Sequence, residues 1–288
     1  MNQLNIFAHC HIKSFLAFAT LTICLTHVCL AEEKFVCDKK DIKVPDITRT
    51  AVYANTPFKS GESSTFEVSY MGLKAGYATI KVMPPRKYEG VWHRIFSGEA
   101  KTGDWFKAIY IATYEIEAIS RPWDFGIAKF YMEKDEGKLF SNRQLFKKWL
   151  DFYHDKCKVN EKTWEPQKPD VRKEFDLQFG AIDALGVVFK MRTRNYQLNK
   201  IERELVYTSE KNWWLEANPI AFEKVTVPSG TFDTVKLKLQ TFIGKELQQK
   251  GDVYAWIATS PEKPLVQVEG EIKIGSLWMK LHKFTPGS

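Results

Sequence analysis

Apolar and polar residues alternate with a period of two over most of this chain. Phe66, Val68 and Tyr70 point to one side of a predicted strand, and the polar residues between them point to the other. One apolar and one polar face are typical of antiparallel sheets that cover a core on one side. The alternation predicts strands over residues 65–70, 77–83, 92–101, 106–120, 125–133, 139–152, 199–207, 221–227, 234–242, 252–258, 265–274 and 277–284.

Segments rich in glycine and proline separate the predicted strands. Residues 72–76 are predicted to turn the first strand into the second, and Asp135–Gly137 to turn the fifth into the sixth. Val227–Gly230 has proline at its second position and glycine at its fourth, as a tight turn favours. Residues 160–174 contain two prolines, so we expect a polar connector there.

Residues Ile182–Arg192 depart from the strand pattern. The apolar residues between Ala184 and Phe189 recur at helical spacing, and Asp183 precedes them as an N-cap residue. Many strands with a single helix cannot form a βαβ sheet. The predicted fold is therefore mainly β, either a large curved antiparallel sheet or a partly closed barrel, with one short helix.

Residues 1–31 have the pattern of a secretory signal peptide. Residues 14–30 are mostly apolar, and Cys29–Ala31 places small residues before the charged residues that begin at Glu32. We therefore predict cleavage after residue 31. The rest of the chain divides into an extended N-terminal lead-in over 32–63 and a single antiparallel β domain over 64–288.

Two alternatives for the N-terminal segment stay open. Its one positive charge, Lys13, is weak for a signal peptide, and an apolar segment of this length could also be retained as a membrane anchor. Leu21–Cys24 resembles a lipobox, although the bulky Ile23 precedes the cysteine. In each case we expect the protein to be exported, to the periplasm or the periphery of the outer membrane.

The chain has five cysteines, and three of them lie in the predicted signal peptide. Cys37 and Cys157 remain after cleavage. Two cysteines in an oxidising compartment favour a disulfide between them. Closing a loop of about a hundred residues would stabilise the fold by up to roughly 4–5 kcal/mol through the entropy of the unfolded chain.

Several short motifs occur in an order that resembles a known family. They cover about residues 62–285 and resemble the bacterial exported family known as domain of unknown function 3108. The matching segments are, in chain order, Tyr70–Gly76, Trp149–His154, Asp183–Arg192, Val227–Phe232, Ala255–Ile257, Pro264 and Ile274–Gly275.

This resemblance implies an exported, mainly antiparallel β protein. It implies no chemistry, because the family is named for lacking an assigned function, and no catalytic residue can be carried over. Tyr153 stands where the family's central Asp-Phe-Asp-His run has its second aspartate, which weakens the case for a carboxylate pair at that place.

The strongest catalytic candidates in the sequence are Asp151 and His154. A histidine titrates near neutral pH and can act as a general base when a carboxylate orients it. In a strand, however, Asp151 shares one face with Tyr153, whereas His154 shares the other with Phe152. The simpler interpretation is a strand end near Cys157 whose polar groups bind the backbone.

Other candidate chemistry is sparse. Glu115 and Glu117 share a strand face and could supply the carboxylate pair of a glycosidase, but two glutamates at this spacing more commonly mark a solvent-facing side. His93, His154 and His282 show no metal-binding spacing, and no phosphate- or dinucleotide-binding motif is present. We therefore expect no metal site and no cofactor.

Aromatic residues are abundant, with nine Trp, eleven Tyr and twenty Phe. Trp105, Trp213 and Trp214 lie beside turn residues, where exposed rings could stack on sugars or line an apolar cavity. Packing in the core is the alternative. The formal net charge of +7 suits anionic partners, but export excludes nucleic acid as an ordinary partner. Candidate partners are a lipid or glycan of the envelope and a periplasmic or outer-membrane protein.

The sequence favours an exported envelope protein without catalytic activity. Its β scaffold would bind an apolar or glycan ligand or assist envelope assembly. The alternative is a periplasmic hydrolase that acts on envelope glycan or ester bonds, with Asp151 and His154 in its site.

Overall fold

The computed structural model describes residues 44–108, 110–138, 141–244, 246–248, 251–271 and 275–288. The predicted signal peptide and Cys37 lie outside these residues, so cleavage and the disulfide to Cys157 stay predictions. Within the described ranges, no helix combines the length and the apolar character needed to cross a membrane.

The described residues form one antiparallel sheet of fifteen strands and a single α-helix, which confirms the predicted fold class. The spatial order of the strands is β8-β7-β6-β5-β4-β3-β2-β1-β15-β14-β13-β11-β10-β9, with β12 paired to β11, and this ladder does not close into a barrel. The elements are β1 (Ser63–Tyr70), β2 (Leu73–Tyr88), β3 (Val91–Thr102), β4 (Ile111–Ser120), β5 (Ile127–Lys138), β6 (Ser141–Tyr153), β7 (Lys158–Trp164), β8 (Val171–Asp176), α1 (Ala184–Arg192), β9 (Glu202–Thr208), β10 (Lys211–Val227), β11 (Gly230–Ile243), β12 (Glu246–Leu247), β13 (Val253–Ala258), β14 (Leu265–Glu271) and β15 (Ser276–Thr285), with short 3-10 turns at Arg49–Ala51 and Phe106–Ala108.

The alternation of residues along each strand gives the sheet two different faces. In β4, the even-numbered residues from Ala112 to Ala118 are buried, and the odd-numbered residues between them are half-buried or exposed. We call the buried side the inner face and the other side the outer face. The inner face packs around α1 to make the hydrophobic core.

Helix α1 begins at a buried cap and fills the space beneath the inner face. The Asp183 carboxylate accepts hydrogen bonds from the backbone N–H groups of Leu185 and Gly186, each at 2.8 Å. A Cβ atom at position 186 would lie 2.6 Å from Oδ2 of Asp183, so a larger residue there would displace the capping carboxylate. On the next turn, Phe189 stacks on Phe96 of β3 with ring centroids 4.1 Å apart.

The last residue of α1 joins three distant parts of the chain. Arg192 is fully buried, and its guanidinium pairs with both carboxylate oxygens of Glu62, at 2.6 and 3.0 Å. It also donates to the carbonyl oxygens of Glu262 and Lys263, each at 2.8 Å. Its Cζ atom lies 5.2 Å from the ring centroid of Phe58. The lead-in, the helix and the loop between β13 and β14 therefore meet at one side chain.

Residues 177–183, which we call the strap, follow β8 and approach the opposite edge of the sheet. Within the strap, Ile182 forms a parallel bridge with β9. The Asn212 side chain, at the start of β10, donates to the carbonyl oxygen of Asp176 and accepts from the N–H of Gln178, each at 2.9 Å. The seam between β8 and β9 is thus held by the strap and an amide side chain.

Several predicted segments differ from the structure. Residues 73–76 of the predicted first turn belong to β2, the predicted strand 106–120 begins only at Ile111, and β10 begins ten residues before the predicted strand 221–227. Residues 160–174, predicted as a polar connector, instead contribute to strands β7 and β8. The sequence pattern does not indicate β8, because this exposed edge strand has no apolar alternation. Strand β5 continues through Asp135–Gly137, where a turn was expected. Residues 44–63 of the lead-in are partly built into the core, since Phe58 is fully buried.

Replacing Arg192 by Met should destabilise the protein by about 3–5 kcal/mol, because the Glu62 carboxylate would stay buried without its partner. The measurement is urea unfolding followed by far-UV circular dichroism. Lys224→Met is the matched control, since it removes an ion pair to Asp233 whose side chains are 74% and 69% exposed. We expect that control to change stability by less than about 1 kcal/mol. Equal effects of the two variants would contradict an anchoring role for Arg192.

Asp183→Asn should raise stability at pH 7, by up to roughly 3 kcal/mol, and leave it nearly unchanged at pH 4. Burial raises the pKa of Asp183 to about 6, so its contribution to stability is present below pH 4 and is lost as the pH rises through 6. Asparagine keeps the cap and carries no charge, whereas Asp183→Ala also loses the cap and should be about 1 kcal/mol less stable than the asparagine variant at every pH. Urea unfolding between pH 4 and 7.5 tests both variants. An unchanged pH profile in the asparagine variant would show that the carboxylate does not titrate in this range.

Candidate functional site

The outer face of β2–β8 forms an open groove of about 1480 Å³. Most side chains that line it alternate along the strands with the buried residues of the inner face, so the groove lies on the side away from α1. Sites for small molecules usually measure roughly 300–1,000 Å³ and enclose the ligand. The size and the open side of this groove suit a longer molecule better than a small one.

An aromatic pair lies in the groove. Tyr131 of β5 and Trp149 of β6 are direct cross-strand partners, and their ring centroids are 5.6 Å apart at a tilt of 44°. Lys162 Nζ, from β7, lies 5.2 Å from the Trp149 ring centroid. The two rings and the lysine make a half-buried platform that combines an apolar surface with a cation.

A hydrogen bond fixes the Tyr131 side chain. Its hydroxyl donates to the Glu133 carboxylate at 2.7 Å, and Lys147 pairs with the same carboxylate at 2.9 Å. Burial and this bond to Glu133 raise the pKa of Tyr131 to about 12. The contacts of Tyr131 and Lys147 hold the pKa of Glu133 below its usual value. At neutral pH the platform therefore carries a neutral phenol beside an ionised carboxylate.

Charged side chains along the groove are held in ion pairs between strands. Because each pair joins two strands, the charges occupy defined positions even though they face solvent. The pairs are Lys81–Glu99 at 2.8 Å, Arg86–Glu117 at 2.7 and 2.9 Å, and Lys129–Asp151 at 2.8 Å.

The two glutamates considered as a catalytic pair have different surroundings. Both oxygens of Glu117 accept from Arg86, and this contact raises the pKa of the guanidinium. Glu115 lies opposite Glu99 and Glu133 on the neighbouring strands.

Asp151 and His154 lie on different faces of the sheet. Asp151 lines the groove, whereas His154 is buried and its Nε2 donates to the carbonyl oxygen of Ile127 at 2.7 Å. The N–H of Gly180, in the strap, donates to Nδ1 at 3.3 Å. Burial, helped by the positive charge of Arg121, lowers the pKa of His154 to about 4. Both ring nitrogens are thus engaged by backbone groups, as the simpler interpretation of this segment expects.

The three tryptophans considered as ligand contacts lie outside the groove lining. Trp213 is buried, and its Nε1 donates to the carbonyl oxygen of Thr208 at 2.9 Å. Trp214 is its half-exposed neighbour on β10, and Trp105 is exposed in the loop after β3. The structure does not bring these three side chains to a common site with Asp151.

A second, interior cavity lies between α1 and the inner face of β1, β2, β10, β11 and β13–β15. Its volume is about 70 Å³, and its lining is entirely apolar, including Ala184, Val187 and Met191 of the helix. That volume is close to the space of two water molecules, which each occupy about 30 Å³ in the liquid.

The described residues contain no group of three or more His, Cys, Asp or Glu side chains placed to hold a metal ion. The aromatic pair was missed in the sequence because the predicted turn at residues 135–137 gives the wrong register between β5 and β6. The observed register pairs Glu136 with Gln144, which places Tyr131 opposite Trp149. A later turn position in the sequence would have predicted this pair.

The comparison with protein families gives one match. A family model described as protein of unknown function (DUF3108) matches residues 65–282, in agreement with the resemblance seen in the sequence. No curated protein sequence matches the chain.

Three solved structures align with the chain at low sequence identity. A β-barrel-like protein of domain of unknown function DUF1849 from Brucella abortus aligns with a TM-score of 0.53 and 5% identity, over 80% of this chain and 99% of that chain. A candidate exported protein with a YmcC-like fold from Bacteroides fragilis aligns with a TM-score of 0.36 and 10% identity, over 80% of this chain and 98% of that chain. A candidate lipoprotein from Parabacteroides distasonis aligns with a TM-score of 0.32 and 14% identity, over 80% of this chain and 98% of that chain. The first supports the fold alone, and TM-scores below 0.5 add no argument.

The burial of His154 generates a prediction about acid stability. Its folded pKa of about 4 lies below the unfolded value of 6.5, so its contribution is present above pH 6.5 and is lost as the pH falls towards 4. The protein should lose roughly 3 kcal/mol from this group over that interval. His154→Gln, whose amide can donate to the same carbonyl oxygen, should flatten the profile. Urea unfolding measured from pH 4 to 7.5 tests this, with the exposed His282→Gln as control. Equal profiles for the two variants would contradict it.

Proposed function

The chain belongs to the DUF3108 family of proteins of unknown function, and we propose that it is an exported, non-catalytic protein that binds an envelope glycan in the groove of β2–β8. The observation that carries this proposal is the Tyr131–Trp149 platform. A sugar ring has an apolar face of C–H groups and an edge of hydroxyl groups. The C–H face suits the electron-rich faces of two aromatic rings.

The charged groups around the platform suit the hydroxyl edge of a sugar. Asp151 and Lys129, 2.8 Å apart, lie in the groove, and each can also accept from or donate to a ligand hydroxyl. Because the ion pairs already fix these side chains, little conformational entropy is lost when a ligand binds. An open groove that crosses seven strands also leaves the ends of a polymer free to continue beyond it.

The alternatives have weaker support. The interior cavity of about 70 Å³ is far below the roughly 300 Å³ at the lower end of ordinary ligand sites, which argues against a lipid held inside the sheet. The hydrolase hypothesis depends on Asp151 and His154, but the latter is occupied by backbone groups on the opposite face. Export and a periplasmic or outer-membrane protein partner stay predictions from the sequence.

A binding titration tests the proposal. The probe is a soluble oligomer of β-1,4-linked N-acetylglucosamine, which has the linkage of a structural envelope glycan, and the measurement is isothermal titration calorimetry. We expect Trp149→Ala to weaken binding about tenfold, a loss of about 1.4 kcal/mol of stacking and burial. Tyr131→Phe keeps the ring and should weaken binding by less than about threefold.

Trp214→Ala is the matched control, because Trp214 is a half-exposed tryptophan on β10 outside the groove lining. It should bind the oligomer as the wild-type protein does. Thermal melting of each variant separates lost binding from lost folding. Equal loss in the two tryptophan variants, or no binding by the wild-type protein to oligomers of this kind, would count against the groove as a glycan site.

A further inference from the structure

Exposed apolar side chains project from one end of the sheet, where β1 turns into β2 and β3 leads into β4. Met71 and Leu73 are each 58% exposed, and Trp105 is 49% exposed. We call these three residues the apolar tip. Exposed apolar side chains that share one region are common on surfaces that contact a partner or a membrane, and the charges beside them decide which.

A small hydrophobic cluster holds the two parts of the apolar tip together. Ala75 and Phe106 are buried against each other, apart from the main core. The N–H of Gly103 donates to the carbonyl oxygen of Ala75 at 2.8 Å, which ties the loop to the start of β2. The Trp105 ring packs edge-on against Phe106, with centroids 5.2 Å apart. The tip is thus presented by a packed base.

The backbone places Met71 at the end of the hairpin between β1 and β2. Met71 and Gly72 form the two-residue turn between β1 and β2, with φ angles of 50° and 79°. Two positive φ angles are typical of a type I′ turn, which strongly favours asparagine, aspartate or glycine at the first position. A methionine is unusual in this turn, and its side chain lies against Gly275 while more than half of it stays exposed.

Lysines border the apolar tip. Lys74 pairs with Glu67 at 2.9 Å and Lys107 with Asp104 at 2.6 Å, whereas Lys101 is exposed and adds a positive charge that these two pairs do not balance. Protein–protein interfaces are depleted in lysine. Surfaces that lie on anionic membranes combine lysine with tryptophan and leucine. Charge complementarity therefore favours anionic lipid headgroups over a protein partner.

We propose that the apolar tip inserts into the headgroup region of a bilayer that contains anionic phospholipid. The two apolar side chains of the turn would enter the boundary between headgroups and acyl chains, and the Trp105 indole would lie at the headgroup level. The lysines would contact the phosphates. This inference goes beyond glycan binding and does not depend on it, since the groove lies on other residues of the sheet.

Co-sedimentation of the purified protein with sucrose-loaded vesicles tests the proposal. The vesicles contain phosphatidylglycerol in phosphatidylethanolamine, and pure phosphatidylcholine vesicles serve as the uncharged comparison. We expect the triple variant Met71→Ser, Leu73→Ser, Trp105→Ser to lower the partition coefficient about tenfold or more. Wild-type protein should bind the uncharged vesicles several-fold more weakly, because the attraction between the one unbalanced lysine and anionic headgroups is lost.

The matched control removes exposed apolar side chains elsewhere in the chain. Leu198, Ile201 and Phe222 are 49%, 51% and 54% exposed, on β10 and the segment before β9. Replacing all three by serine should change vesicle binding by less than about twofold. If the tip variant fails to fold by circular dichroism, the single variant Trp105→Ser should still lower partitioning about threefold.

Three results would overturn the proposal. They are no sedimentation of wild-type protein with the anionic vesicles, equal loss in the tip and control variants, and equal binding to charged and uncharged vesicles. Trp149→Ala should bind vesicles as wild type does, so failure of the glycan proposal and failure of this one are distinguishable.

Discussion

The buried ion pair between Arg192 and Glu62 is the contact on which the arrangement of the whole sheet depends. An ion pair without solvent is tolerated only when each charge has partners, and Arg192 has the carboxylate, two backbone carbonyl oxygens and an aromatic face. These partners come from segments before β1 and after β13. They place α1 beneath the inner face, and the strap that leads into α1 then determines how closely the sheet edges approach.

The strap region contains two buried ionisable groups with opposite effects. Burial raises the pKa of Asp183 to about 6 and lowers that of His154 to about 4. Between these values, rising pH removes the stability that protonated Asp183 contributes and restores the stability that neutral His154 contributes. The changes of folding stability with pH that the two groups cause therefore partly cancel. The seam between β8 and β9 has no strand ladder, and this cancellation keeps its stability less dependent on pH than either group alone would allow.

The position of α1 also decides which surface is available to ligands. In a curved sheet of this size the inner face could enclose a cavity, but here the helix and its aromatic contacts leave about 70 Å³. The outer face of β2–β8 instead offers about 1480 Å³, with cross-strand ion pairs that keep charged side chains in place. The C-terminal strands and α1 complete the core, and the N-terminal strands form the open groove.

The sequence by itself determined the β class, the position of the helix and its Asp183 cap, and the family, because alternation and capping are local signals carried by adjacent residues. It also predicted that Asp151 and His154 face opposite sides. It did not determine the register between β5 and β6, since an error in the position of a single turn displaces Tyr131 from Trp149. It also did not indicate β8, because a charged edge strand has no apolar alternation. Only the tertiary structure decided that Arg192 meets Glu62, 130 residues away, because the partner of a buried charge is fixed by packing and not by spacing along the chain.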